Sequence, residues 1–197
     1  MGRRQWAHCL GEANANLVEN LMDQGDLDAS WKRLMAMEEE SKSPDFDMNR
    51  YQWESRMQYL VAHILMSRND IDQAEAVILI NLEKVRKDRL KKREGSFLRI
   101  LGEVQMRRQE TDNATATLHE SIRILKEVEN PRQLWQAHGS LAAVYDETGR
   151  SSEALEQWGA ASQIIQNTAD GLTDRELRDQ FVHAEPIRKI LSKSAMI

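Results

Sequence analysis

Turn formers are scarce in this chain of 197 residues, with nine glycines and three prolines. Folds built from many short strands need more of both, so the sequence favours long helices joined by short turns. Cysteine is nearly absent. Cys9 is the only one, which excludes an intramolecular disulfide and fits a reducing compartment. No apolar run approaches the ~20 residues that span a bilayer; the longest runs from Ala76 to Ile80. The opening Met1-Gly2-Arg3-Arg4-Gln5-Trp6 carries charge without a following apolar stretch, so it does not read as a secretory signal. These absences lead to the expectation of a soluble, cytoplasmic protein with no membrane partner.

Catalytic and metal-binding patterns are missing as well. No Gly-x-x-x-x-Gly-Lys phosphate loop occurs. The histidines His8, His63, His119, His138 and His183 include no pair three or four residues apart, so no helix face presents two of them as metal ligands. Cys9 adjoins His8, but neighbouring residues on a helix point in different directions, and Cys9 reads as a buried or partly buried thiol. Glu38-Glu39-Glu40 reads as a solvated run. No enzyme activity, no metal and no cofactor are expected.

What is present is a period. Gln24-Gly25-Asp26-Leu27, Arg68-Asn69-Asp70-Ile71, Arg108-Gln109-Glu110-Thr111 and Thr148-Gly149-Arg150-Ser151 are polar breaks between helical patterns, at intervals of 44, 40 and 40 residues. Five positions after the second member of each stands a small residue: Ser30, Ala74, Ala114 and Ala154. A fixed period of this length indicates stacked helix-turn-helix units. Around the last break, Leu134, Trp135, His138, Leu141, Ala142 and Tyr145 mark one helical face, and Ala154, Leu155, Trp158, Ala161, Ile164 and Ile165 the next. Ser151 or Ser152 is placed to cap the second of these helices. Trp31 and Trp158 fall on second helices as core residues. Trp6, Trp53 and Trp135 sit near the starts of first helices, where an edge of the stack could expose them. Pro44 and Pro131 fall at joints between units. Thr173 and Glu176 have the spacing of a capping box for a final helix that Pro186 bends or ends.

The repeats resemble tetratricopeptide repeats (TPRs). That family has a small residue at the eighth position and a large one at the eleventh, alanine at the twentieth, a large apolar residue at the twenty-fourth and a small one at the twenty-seventh. The fourth unit supplies Ala142, Tyr145, Ala154, Trp158 and Ala161; the third Gly102, Gln105, Ala114, Leu118 and Ser121. The second supplies Ala62, Leu65, Ala74, Ile78 and Asn81; the first, less faithful, Val18, Leu21, Ser30, Leu34 and Met37. The period near 40 resembles the longer-helix version found in bacterial signalling ATPases and transcription activators. The resemblance implies an all-α fold, a right-handed α-α superhelix (solenoid) of about four repeats plus a C-terminal capping helix. It is expected as one domain over 1–197, with repeats at about 3–42, 47–91, 94–129 and 131–168 and the cap at about 172–193.

The resemblance also implies a concave surface lined by the first helix of each pair. Its fifth, ninth and twelfth positions give the candidate groove: Tyr59, His63 and Met66 in the second unit, Arg99, Glu103 and Met106 in the third. The twelfth position reads Met22, Met66, Met106 and then Asp146, a methionine register suited to an adaptable apolar strip. The implied function is a non-catalytic protein- or peptide-binding module in bacterial signalling or regulation. A second candidate is the basic stretch around Lys84, Lys87, Lys91, Lys92 and Arg93. The block 84–108 carries +7, while the whole chain carries −5. Nucleic acid or another acidic ligand is the alternative partner there, although no aromatics are interleaved. The simpler reading makes it the solvated end of an overlong second helix. A homodimer through the exposed ends of the stack is the third reading.

Overall fold

The computed structural model describes the backbone of residues 3–44 and 50–194, and the side chains of 9–44 and 54–194. Trp6, Trp53 and the Asp45 side of the Pro44 joint lie outside the residues whose side chains are described. Among the described residues there are ten α-helices and no strand. They fall into two compact units, Met1–Asp88 and Arg89–Ile197.

The first unit contains α1 (Arg3–Asp23), α2 (Leu27–Ser41), α3 (Arg50–Ser67) and α4 (Ile71–Lys87). Each helix packs on its neighbour in sequence, and α1 also meets α3. The second unit contains α5 (Lys91–Arg107), α6 (Thr111–Glu127), α7 (Pro131–Glu147), α8 (Ser151–Asp170), α9 (Arg175–His183) and α10 (Glu185–Ser194). There α5 pairs with α6 and α7 with α8, α5 meets α7, and both α9 and α10 pack on α8.

The small residues at the twentieth position do the work expected of them. Ser30, Ala74, Ala114 and Ala154 are all fully buried, as are Val18, Ala62 and Ala142 at the eighth position. Close approach is tightest at Gly102, where an added Cβ would stand 2.5 Å from Leu118 Cγ. Ser121, buried at the twenty-seventh position of its unit, donates from Oγ to the Gly95 carbonyl at 2.7 Å and so satisfies itself across the α5–α6 contact. The apolar centre of the second unit joins Leu118, Trp135, Leu141, Tyr145, Trp158 and Ile165 with Ile187 and Ile190 of α10.

The turns are more regular than the sequence suggests. Helices α4, α5, α6 and α7 each have 17 residues, and each is followed by three connecting residues. The left-handed backbone conformation recurs at Asn69, Arg89, Gln109, Glu129 and Gly149, every twentieth residue. Gln109 N–H donates to Met106 O and Glu110 N–H to Gln105 O, both at 2.9 Å, and the same pair of bonds closes the turns at residues 25, 69, 129 and 149. This is the Schellman arrangement, which satisfies carbonyls at a helix end. The sequence marks the break after Glu129 only by Pro131, and the one at Arg89 by no turn former. There the hydrophobic faces on either side impose the turn.

Several expectations are corrected. Helix α4 is not overlong: it matches its neighbours, and the basic residues straddle an ordinary turn, Lys84 and Lys87 before it and Lys91, Lys92 and Arg93 after it. Neither Ser151 nor Ser152 caps α8. Arg150 holds the cap position because its N–H is committed to Tyr145 O, and no side chain caps that helix. The last segment is two helices, broken at the extended Ala184 (ψ 135°), and Pro186 lies inside the first turn of α10. Asp174, not Thr173, caps α9, accepting from Leu177 N–H at 3.1 Å, because the helix starts one residue later than the capping-box reading needs. Trp135 is in the core at 7% exposure, Trp31 is only half-buried beneath the Arg68 guanidinium, and Cys9 is exposed.

Candidate binding surfaces on the first helices

In the first unit the candidate residues lie on α3. Tyr59 and Met66 are buried, and His63 is half-buried between them along the helix. The Tyr59 and His63 rings stack in parallel, with centroids 6.0 Å apart and planes 7° from coplanar. One turn earlier, Arg56 reaches from α3 to α1, where its guanidinium pairs with Glu12, donates to Asn16 Oδ1 at 2.7 Å and stands 3.6 Å from Glu19 Oε1. The Arg56 side chain is 9% exposed and Glu19 18%, so this charge cluster is largely desolvated and ties the two first helices together. Arg56 and Glu12 occupy the second position of their units. The candidate groove was read from the fifth, ninth and twelfth positions, so neither residue was among the sequence candidates.

In the second unit, Arg99 is buried on α5. It pairs with Glu103 one turn along the helix, and its Nε donates to Gln133 Oε1 on α7 at 3.4 Å. Ser140 Oγ on α7 donates to the same Glu103 oxygen at 2.6 Å. Glu103, 24% exposed, thus presents a carboxylate fixed by two partners on adjacent helices. Met106 is half-buried and packs against the apolar core, as methionines at helical spacing commonly do. The structure brings Arg99, Glu103 and Met106 onto one face of α5, and Tyr59, His63 and Met66 onto one face of α3. Gln133 and Ser140 were not legible as members of that face, since neither type nor spacing marks them.

The methionine register ends at Asp146 because α10 uses that position. Asp146 Oδ2 accepts from Trp158 Nε1 at 3.1 Å and stands 3.4 Å from Lys193 Nζ. Lys193 also lies 5.9 Å above the Trp158 ring. Ile190 presses against Gly139, where an added Cβ would be 2.7 Å from Ile190 Cδ1. The fifth and twelfth positions of α7 are thereby occupied by the chain's own terminal helix.

The basic cluster divides between the units. Lys84 pairs with Glu54 at 2.7 Å in the first, and Lys91 pairs with Glu94 at 3.0 Å in the second. Lys87 and Lys92 are exposed. On the outer face of α4, Leu79 is 51% and Ile80 69% exposed. Elsewhere in the second unit, burial holds the His138 imidazole below the ordinary histidine value. The charges of Lys126 and His119 act in the same direction, and the 2.8 Å bond to Gln157 Oε1 opposes them. Among the described residues no group of three His, Cys, Asp or Glu side chains could hold a metal ion, and no helix is long and apolar enough to cross a membrane.

No family model and no curated protein matches this sequence. Among solved structures, one crystal structure described as "Podosopora anserina putative kinesin light chain nearly identical TPR-like repeats" aligns over 100% of this chain and 96% of its own, with TM-score 0.54 and 11% identity. A variant of that protein aligns over 100% of both chains, with TM-score 0.54 and 13% identity. The chain has a TPR-like helical-repeat fold. The TPR-like fold accounts for the buried small residues, for the first-helix faces and for the all-α architecture.

Proposed function

We propose that the chain is a non-catalytic protein- or peptide-binding module of bacterial signalling or regulation, working in the cytoplasm. The contact surface in each unit is the face of the first helices: Tyr59, His63 and Met66 in one, Arg99, Glu103 and Met106 in the other. The observation that carries this reading is Glu103, a carboxylate held in place by Arg99 and Ser140 at the edge of a partly apolar strip. A preordered donor-acceptor site of that kind loses little freedom when a partner docks. The buried Tyr59, Met66 and Arg99 shape the surface, while His63, Glu103 and Met106 supply its accessible part. The test compares partner recovery by the wild type, by Glu103→Lys and by Gln163→Lys, the last on the exposed side of α8. The reading expects loss with the first substitution and retention with the second, and equal recovery by all three would refute it.

The alternative ligand is nucleic acid at the basic residues, favoured by the exposed Lys87 and Lys92. It predicts binding that weakens steeply with salt. Fluorescence anisotropy of a labelled oligonucleotide that stays flat at low salt removes it. Self-association is favoured by the half-exposed Leu10 and Leu17 on α1, and light scattering that gives a monomer mass at high concentration excludes it.

A further inference from the structure

Helix α4 carries an apolar strip that the repeat does not require. Asp72, Ala76, Leu79, Ile80, Glu83 and Lys87 are all exposed along its outer face, Leu79 at 51% and Ile80 at 69%. At about 100° per residue these six fall on one stripe roughly 100° wide. Forty residues on, the places of Leu79 and Ile80 hold His119 and Glu120 on α6, and forty further Gly159 and Ala160 on α8. The aliphatic pair is therefore no part of the common helix-pair core. An exposed apolar patch rimmed by polar residues marks a contact surface.

The order of the strip says what covers it. Its steps along the chain are four, three, one, three and four residues, the same read from either end. A second α4 laid antiparallel, about a point between Leu79 and Ile80, sets Leu79 on Ile80, Ala76 on Glu83 and Asp72 on Lys87. The apolar residues meet at the centre. Opposite charges meet at both ends, about 11 Å from it along the helix. The small Ala76 leaves the Glu83 carboxylate room to keep its water. On α6 the same operation would set Asp112 on Glu127, two like charges, so that helix lacks the complementarity. We infer that two copies of this chain pair through α4, antiparallel about a two-fold axis between Leu79 and Ile80. Such a contact is isologous, each copy giving the same patch. It is independent of the proposed first-helix surface and of Leu10 and Leu17 on α1. A contact between two helices is small for a specific interface, so the dimer should dissociate on dilution.

Sedimentation velocity of the full chain, in reductant and over a wide range of concentration, tests this. The wild type should pass from monomer to dimer as concentration rises. Leu79→Gln combined with Ile80→Gln should weaken the dimer at least tenfold, with the far-ultraviolet circular dichroism of the wild type. Leu10→Gln combined with Leu17→Gln, and Glu103→Lys, should leave it intact. Asp72→Lys and Lys87→Asp should each weaken it about fivefold, because each turns two exposed ion pairs into repulsions. An equimolar mixture of those two variants should recover the wild-type dimer, since only the mixed pair restores opposite charges at both ends. A wild type that stays monomeric at the highest concentration would leave the strip to another partner and overturn the inference. So would a dimer unchanged by the glutamine substitutions on α4, or one lost with those on α1. A mixture no more dimeric than its components would overturn the antiparallel register.

Discussion

Single residues carry strain in this chain at the turns. Gln109 adopts φ +63° and Glu129 φ +50°, a region where a side chain costs about 1–2 kcal/mol and glycine costs little. Gln109→Gly should therefore raise stability by about 1 kcal/mol in urea unfolding, and Gln109→Val should lower it, because a β-branched residue fits the left-handed region worst. His138 makes a separate residue-scale prediction. Its pKa is depressed in the folded state, so the neutral form is the one the fold holds. Its contribution is present above the unfolded value of about 6.5 and is lost as the pH falls through the lower folded value. Melting curves across that range should show the loss in the wild type and a smaller one in His138→Leu. Neither effect could be read from the sequence, since the left-handed turn at Gln109 and the burial of His138 both follow from what packs around them.

At the scale of helices, stability rests on close approach between pairs. The Leu118 branch faces Gly102 and is itself fully buried, so it has nowhere to move. Gly102→Ala should cost about 1–3 kcal/mol by overpacking, measured as a lower denaturation midpoint at unchanged slope. The last helix is held differently. Ile187 and Ile190 are buried, while Lys193 reaches Asp146 across a half-exposed contact. Replacing both isoleucines by alanine should release α10 from α7 and α8, seen as fast amide exchange over 185–194 with the exchange of α5 and α6 unchanged. The helix pairs and their small interface residues were legible because alanine and serine at fixed spacing record where backbones must approach. The docking of α10 on Gly139 and Asp146 was not legible. A short amphipathic helix in sequence does not say which surface it will cover.

For the whole molecule, the lone exposed Cys9 sets a simple expectation. Melting temperature should be the same with and without reductant, and Cys9 should label with maleimide in the folded protein. A reductant-dependent melt would show that a disulfide between copies contributes. The sequence by itself determined the all-α class, the helix-pair period and the small residues at the pair contacts, because each is written in local spacing that any one helix must obey. Only the tertiary structure decided three things: the twenty-residue regularity of the turns, the Arg56 and Glu103 clusters that join first helices, and the docking of α10 on Gly139 and Asp146. These depend on which side chains from distant parts of the chain lose their water together, and burial of that kind is a property of the packed assembly of helices.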